Sequence, residues 1–308
     1  MANEALKVLI SSDVQKALFP NNSFYEGCQS DAAGVDVDTI TIPQDETGTS
    51  TVLVNPTKLP LETVMEEDTK KTYSADFLIT NPQPISWNNQ LLTSYNKRAA
   101  KLYKHTNSLM TSLADRIMYG WAPSLAANIK SATGTATRAA TAPGATGTRK
   151  VTQESDWIAM MTLFNTWNIP VEGRRVVIPP PFLEDILAIK KTYGTGTDSN
   201  NALFAEPLTP GAIARIFTFE VFLRSRTTAF DNTGAKRAVG SAGGTTDFIG
   251  AIFFHPQFVR YVKGTPAVFM DPYEKPELAG GVGLNVAIRG GGTASRNSQT
   301  GVAALIEA

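Results

Sequence analysis

The sequence predicts an α+β protein, and three observations carry that prediction. From Leu92 to Trp121 apolar residues recur every three or four positions, the signature of one long amphipathic helix. Before it, residues 35–80 read as β-structure with too few apolar side chains for a core of their own. After it, short helical patterns alternate with short apolar runs bounded by Gly and Pro. The chain has 308 residues, 42% hydrophobic and 18% charged, enough to bury a sizeable core. Its 28 Lys and Arg balance 28 Asp and Glu, which argues against a surface that binds nucleic acid all over. A single cysteine, Cys28, excludes a disulfide framework and a thiolate zinc cluster. No apolar run reaches the roughly 20 residues that span a bilayer, and Met1 to Phe19 lacks a signal-peptide pattern. A soluble chain folded in a reducing cytoplasm, with no membrane partner, is the expectation.

Taken in order, Leu6, Ile10, Val14 and Leu18 recur every four positions and suit a short helix, which Pro20 and Asn21-Asn22-Ser23 end. The polar stretch to Gly34 reads as an arm without its own core. Ile40 and Ile42 alternate with Thr39 and Thr41, a turn cluster follows at residues 45–50, and Thr51 to Val54 and Thr72 to Thr80 suit further strands. An isolated hairpin is marginal in water, so this one is expected to lean on another surface. It is also acidic: Asp36, Asp38, Asp45, Glu46, Glu62, Glu66, Glu67 and Asp68 face only Lys58, Lys70 and Lys71. The long helix carries Lys97, Arg98, Lys101, Lys104 and His105 on its polar side and ends near Pro123. Ser131 to Gly147 is a Thr-Gly-Ala-Pro tract read as a flexible loop, with Arg138 inside it. A second helix places Trp157, Met160, Met161, Phe164 and Trp167 on one side. Arg174 to Ile178 is a buried-type strand closed by Pro179-Pro180-Pro181, and Phe182 opens a third helix. Strands are expected at Ile216 to Leu223 and Phe248 to Phe254, around a basic Gly-rich loop at 224–244. A short helix is expected at Pro256 to Val262, and a Gly-rich tail before a last strand at Gly301 to Glu307.

Catalytic and ligand-binding readings are thin. A general base would have to be His105 or His255, and a strand-end structural role suits His255 better. Cys28 lies between Gly27 and Gln29, with no adjacent cation to favour a thiolate. Gly194-Thr195-Gly196, Gly281-Val282-Gly283 and Gly290-Gly291-Gly292 match neither a dinucleotide fingerprint nor a phosphate loop, and turn chemistry accounts for them. Asp36 and Asp38 share a strand side, but a hard cation needs more oxygen ligands than two carboxylates. No catalytic residue, cofactor or metal site is expected. The basic helix stripe is either a solvated face or a surface offered to an anionic partner.

The order of the parts adds what no single motif does. An arm precedes an acidic hairpin without a core. A long helix follows, then a helix ending at Asn168-Ile169-Pro170. Next come Gly173-Arg174-Arg175-Val176-Val177-Ile178-Pro179-Pro180-Pro181-Phe182-Leu183, then Phe219-Glu220-Val221-Phe222-Leu223-Arg224-Ser225, Ala251-Ile252-Phe253-Phe254-His255, and Gly301-Val302-Ala303-Ala304-Leu305-Ile306-Glu307. Over essentially its whole length the chain resembles the major capsid proteins of tailed bacteriophages, with the Hong Kong 97-like fold.

The resemblance implies a non-enzymatic shell protein. Its parts would be an N-terminal arm at 1–34, an extended loop at 35–80, and a peripheral domain at 81–175 with a spine helix at 88–121. An axial domain would take 176–285, and 286–308 would return to the peripheral domain. Many copies, as pentamers and hexamers, would enclose packaged double-stranded DNA, with separate scaffold, portal and cement proteins as further partners. The site would be the virion, assembled in the host bacterial cytoplasm. No fused scaffolding helix is visible at the N-terminus, and nothing marks Lys58, Lys70 or Lys71 for the covalent inter-subunit link that some members form. The expected subunit contacts are Asp45, Glu46, Glu66, Glu67 and Asp68 of the loop. Lys97, Arg98, Lys101 and Lys104 form a basic face for a neighbour or for DNA. Encapsulin shells, which enclose cargo enzymes, share the fold and are the alternative.

Overall fold

A computed structural model describes residues 18–31, 35, 39–45, 68–85, 97–193, 204–205, 209–270 and 282–308. Among them an eight-stranded sheet runs in the order β10 (Phe204–Ala205), β11 (Ala214–Ile216), β12 (Phe219–Leu223), β9 (Arg175–Ile178), β14 (Phe248–Phe254), β18 (Val302–Ile306), β6 (Ile129–Ser131). β13 (Ala229–Phe230) adds to β14. Helices α2 (Glu154–Thr166) and α3 (Pro180–Tyr193) cover one face of this sheet. Trp157, Met160, Phe164, Phe182 and Ile186 pack there on Val176, Ile178, Phe219, Val221, Phe253 and Leu305. The alternate side chains Val177, Phe222, Ile252, Phe254, Val302 and Ala304 point to the other core, shared with helix α1 (Lys97–Trp121). Burial on both faces is why β9, β14 and β18 read as unbroken apolar runs.

The second sheet has β15 (Val259–Lys263) and β16 (Ala267–Met270) along one side of β17 (Val282–Ala294). β4 (Asp76–Ile79) and β5 (Gln83–Ile85) bond its other side, and β1 (Gln29–Ser30) runs parallel to β15. α1 lies on this sheet with Leu109, Leu113, Ile117 and Trp121 buried. β2 (Ile40–Gln44) and β3 (Thr69–Tyr73) form a separate two-stranded ribbon, and β7 (Thr137–Ala139) pairs with β8 (Thr148–Lys150).

Several expectations need correcting. The tail 282–294 is a strand, not loop, because its glycines let α1 approach: a Cβ on Gly292 would stand 2.9 Å from Trp121 Nε1 and 3.1 Å from Ile117 Cα. Only Pro256–Phe258 is helical, a single 3₁₀ turn, and Val259 begins β15. Thr72 to Thr80 is not one strand: the chain leaves the ribbon at Ser74 and buried Ala75 and joins β17 as β4. The expected β-run at Ile216 to Leu223 is a hairpin limb pair turning at Phe217, whose φ is 50°. Strand pairing crosses the expected division at 285/286. β18, expected with the spine helix, sits between β14 and β6, while β15, expected in the axial part, bonds β17 beside α1. α1 is described from Lys97, so its expected first turns at 88–96 lie outside the described residues, as do the expected helix before Leu18 and the strand at Thr51 to Val54.

Candidate functional site

The acidic ribbon is fixed at its root by polar side chains that reach the turn after β17. Buried Gln44 donates through Nε2 to the Ser295 carbonyl at 2.7 Å, and Lys71 Nζ donates to the Arg296 carbonyl at 2.7 Å. Tyr73 donates its hydroxyl to Asp31 Oδ2 at 2.6 Å, while Arg260 pairs with Asp31 Oδ1 at 2.9 Å. Burial and the neighbouring carboxylate hold the Tyr73 phenol well above its usual range. Asp45 and Asp68, the described acids of the expected contact set, are both exposed where the ribbon leaves the body. Glu46, Glu66 and Glu67 lie outside the described residues, as do Glu62 and Lys58.

The basic face is only partly described. Lys104 is exposed and Lys101 half-buried on α1, and Lys97 and Arg98 are placed as backbone of its first described turn. His105 departs from its expected polar position, since it is 6% exposed. Burial, then Lys101 and Lys104, holds its imidazole below the usual value.

The stretch 18–31 is no coreless arm. Phe24 and Tyr25 are buried, and Phe24 stands edge-on to Trp121 with ring centroids 5.6 Å apart. Arginines that periodicity could not flag hold this segment by its carbonyls. Arg175 donates to the Phe24 carbonyl at 3.3 Å and to that of Glu26, and Arg224 to Asn22 Oδ1 at 3.3 Å. Arg175 is also the cation near Cys28 that local sequence lacked, 3.9 Å from Sγ. Burial outweighs it and pushes the thiol up to about 12, so Cys28 is not a poised nucleophile.

A second polar centre lay hidden in the Thr-Gly-Ala-Pro tract. Far from a flexible loop, Ser131 to Gly147 contains β7, where Arg138 donates to Glu307 Oε1 at 2.8 and 3.0 Å. The same guanidinium reaches Asp185 Oδ1 at 2.6 Å and the Pro181 carbonyl at 3.0 Å. Asp185 also accepts from Thr152, so hairpin, α3 and the C-terminal strand share one network. The only sequence signal was an acid at the end of an apolar run.

His255 is the expected strand-end residue: Nε2 lies 3.0 Å from the Glu172 carbonyl and Nδ1 accepts from Gln257 N–H. Burial lowers its basicity, opposed by that carbonyl bond and reinforced by Arg174 and Arg175. Both histidines thus stay neutral in the fold at pH values where the unfolded chain takes up protons. The stability this provides is present above about pH 6.5 and falls as pH drops below it. Urea unfolding at pH 7.5 and 5.5 should show that loss, and His105→Gln should reduce it; a pH-independent midpoint would contradict the burial of both rings. Among the described residues no three His, Cys, Asp or Glu are grouped as a metal site, and Asp36 and Asp38 lie outside them. Among the same residues no helix is long and apolar enough to cross a membrane.

A scan against protein-family models finds no match, and a search of curated proteins finds none. Solved structures do match. A capsid chain of Cyanophage P-SCSP1u aligns with TM-score 0.62 at 14% identity, over 97% of this chain and 92% of that one. This is the Hong Kong 97-like capsid fold. The capsid chain of a native GTA particle aligns at TM-score 0.62 and 14% identity, over 99% and 96% of the two chains. A Mycobacterium phage Che8 chain aligns at 0.60 and 12%, over 99% and 98%. In the capsid fold seen here, the ribbon β2–β3 and the segment 18–31 are anchored to the layer of β15, β17 and α1. The Arg138 network belongs to the layer of β9, β14 and β18.

Proposed function

We propose that many copies of this chain form an icosahedral shell around the double-stranded DNA of a tailed bacteriophage. The observation that carries this reading is likeness over 97–99% of the chain to chains from phage and GTA capsids, with matching lengths on both sides. Self-association follows from it, with pentamers and hexamers as the units. Separate scaffold, portal and cement proteins, the virion as destination and the host cytoplasm as the place of assembly extend the same reading. The role is structural rather than enzymatic. The layer of β9, β14 and β18 with α2 and α3 is assigned to the axial domain, and α1 with β4, β5 and β15–β17 to the peripheral domain. Two of the solved structures reported above are capsids, of a phage and of a GTA particle, which favours a genome shell over an enzyme compartment.

The geometry supports a role for the acidic ribbon in contact between copies. Two strands with one buried apolar residue, Ile42, bury little within the subunit, yet the root is held by Gln44, Lys71 and Tyr73. A ribbon that buries little of its own apolar surface yet is held firmly at its base suits contact with another copy. Contact by Asp45, Glu46, Glu66, Glu67 and Asp68 on a neighbour's cations would fix register through charge. Lys97, Arg98, Lys101 and Lys104 serve either that neighbour or packaged DNA. Sedimentation velocity with absorbance at 260 and 280 nm tests the shell: a discrete megadalton species with a nucleic-acid spectrum is expected from virus-derived material. Subunits that stay monomeric with scaffold supplied would end the proposal. Glu66→Lys with Glu67→Lys should cut shell yield at least tenfold, and full yield from that variant would remove the ribbon's charge from assembly.

A further inference from the structure

Residues 21–31 touch both sheets and the base of the acidic ribbon in one short run. The eight-stranded sheet grips their first half. Asn21 Nδ2 donates to the Gly211 carbonyl at 3.4 Å, between β10 and β11, and Arg224, just after β12, donates to Asn22 Oδ1 at 3.3 Å. Arg175 of β9, itself 7% exposed, donates to the carbonyls of Phe24 and Glu26. The second sheet and the ribbon grip the other end. β1 runs parallel to β15, and the Asp31 N–H donates to the Tyr261 carbonyl at 2.9 Å. The Asp31 carboxylate takes the Tyr73 hydroxyl of β3 on one oxygen and Arg260 of β15 on the other. Between the two grips Phe24 stands edge-on to Trp121, and Tyr25 tilts against Tyr261 with centroids 5.3 Å apart. Gly27 makes the bend with a φ of 77°, and a Cβ there would stand 3.3 Å from Arg175 Nη2.

We propose that residues 21–31 are a strap that couples the docking of the two layers to order at the base of the ribbon. Phe24 and Asp31 are so near in sequence that at most about 25 Å of extended chain separates the grips. Buried Phe24 and Tyr25 and the pairing of β1 take up slack between them. Neither grip parts easily. A carbonyl that loses its buried donor is left unpaired at a cost, so the strap follows Arg175 when the first sheet shifts. At the far end the bond from Tyr73 to Asp31 is short and charge-assisted, and only 17% of the Asp31 side chain is exposed. Gln44 and Lys71 tie the base to the turn after β17 by a separate route. A subunit therefore holds its ribbon in one direction only when both layers are docked. The coupling acts within a single subunit and does not depend on the shell reading.

Hydrogen–deuterium exchange on unassembled full-length subunits tests the strap. Arg175→Met keeps the packed stem of the side chain and removes its bonds to the Phe24 and Glu26 carbonyls. Exchange should rise about tenfold at the amides of Glu26 and Cys28, each bonded to a carbonyl within the strap, and about tenfold in β3 as well. Coupling is reciprocal, so Tyr73→Phe should speed exchange at Glu26 and Cys28 along with β3. Adding Arg175→Met to Tyr73→Phe should change β3 no further, because the bond it acts through is gone. Faster exchange at Glu26 and Cys28 with wild-type exchange in β3 overturns the proposal, as does a further tenfold step in the double variant. An equal rise in β14 would mean general loosening and would overturn it too. If Arg175→Met fails to fold, Asn22→Ala, which leaves Arg224 its Asp115 partner at 2.6 Å, carries the same expectations at about threefold.

Discussion

Gly292→Ala should lower the melting temperature of the subunit by about 5 °C, from a loss of about 3 kcal/mol. The helix α1 and the strand β17 meet backbone to backbone at this point. A methyl group on Gly292 would stand 3.1 Å from both Cα and the carbonyl oxygen of Ile117 and 2.9 Å from Trp121 Nε1. A Cβ on Gly120 would fall inside the van der Waals envelope of the Gly292 carbonyl. No rotamer change relieves backbone crowding, so helix and sheet must separate. That opens the contacts of Leu113, Ile117 and Trp121, all fully buried, and strains the 2.9 Å bond from Trp121 Nε1 to the Arg260 carbonyl. Gly283→Ala, in the same strand with open space around its Cβ, is the control and should stay within about 0.5 kcal/mol of wild type. Calorimetry on unassembled subunits decides it; a Gly292→Ala curve that overlays the control would refute the close-approach account.

Arg138→Leu should cost about 3–5 kcal/mol, the range for removing one partner from a buried charge group. Glu307 is 0% exposed and Asp185 has 5% of its side chain exposed, so neither can turn to water when the guanidinium is gone. Glu307 keeps only a 3.3 Å bond from Thr141, whereas Asp185 keeps two bonds from Thr152. The greater penalty therefore falls on Glu307, and adding Glu307→Gln should recover part of the stability. Limited proteolysis gives a second readout, because the tract between β7 and β8 loses its tie to α3 and should be cut at least tenfold faster. If the single variant unfolds at the wild-type urea concentration, the network is dispensable.

These two sites mark the boundary of what periodicity can report. The apolar spacing of α1 needs only residues three or four apart, and Leu109, Leu113, Ile117 and Trp121 are buried as that spacing requires. The continuous run Phe248–Phe254 is a strand buried on both sides, and Pro180 opens α3 because its missing N–H costs nothing at a helix start. The hairpin without a core was legible too, as a shortage of apolar residues. Segment order then carried the resemblance, and with it the fold.

What escaped depended on partners far apart in the chain. Arg138 meets Glu307 across 169 positions, and Arg175 meets the Phe24 carbonyl across 151. No local pattern tells such an arginine from a solvated one. Phe24 and Tyr25 looked like part of a polar arm because two aromatics make no period, yet they fill the end of the core beside Trp121. The glycines of β17 looked like loop because their use, a missing Cβ where a helix presses on a strand, exists only once helix and strand are packed. The acidic set was readable as charge, but where its described members stand was not. Thus the sequence alone determined the α+β class, the long helix, the acidic hairpin and the neutral charge balance, since these follow from neighbours in the chain. Tertiary structure alone decided which strands share a sheet and which charges are buried in pairs, because those depend on surfaces brought together by folding.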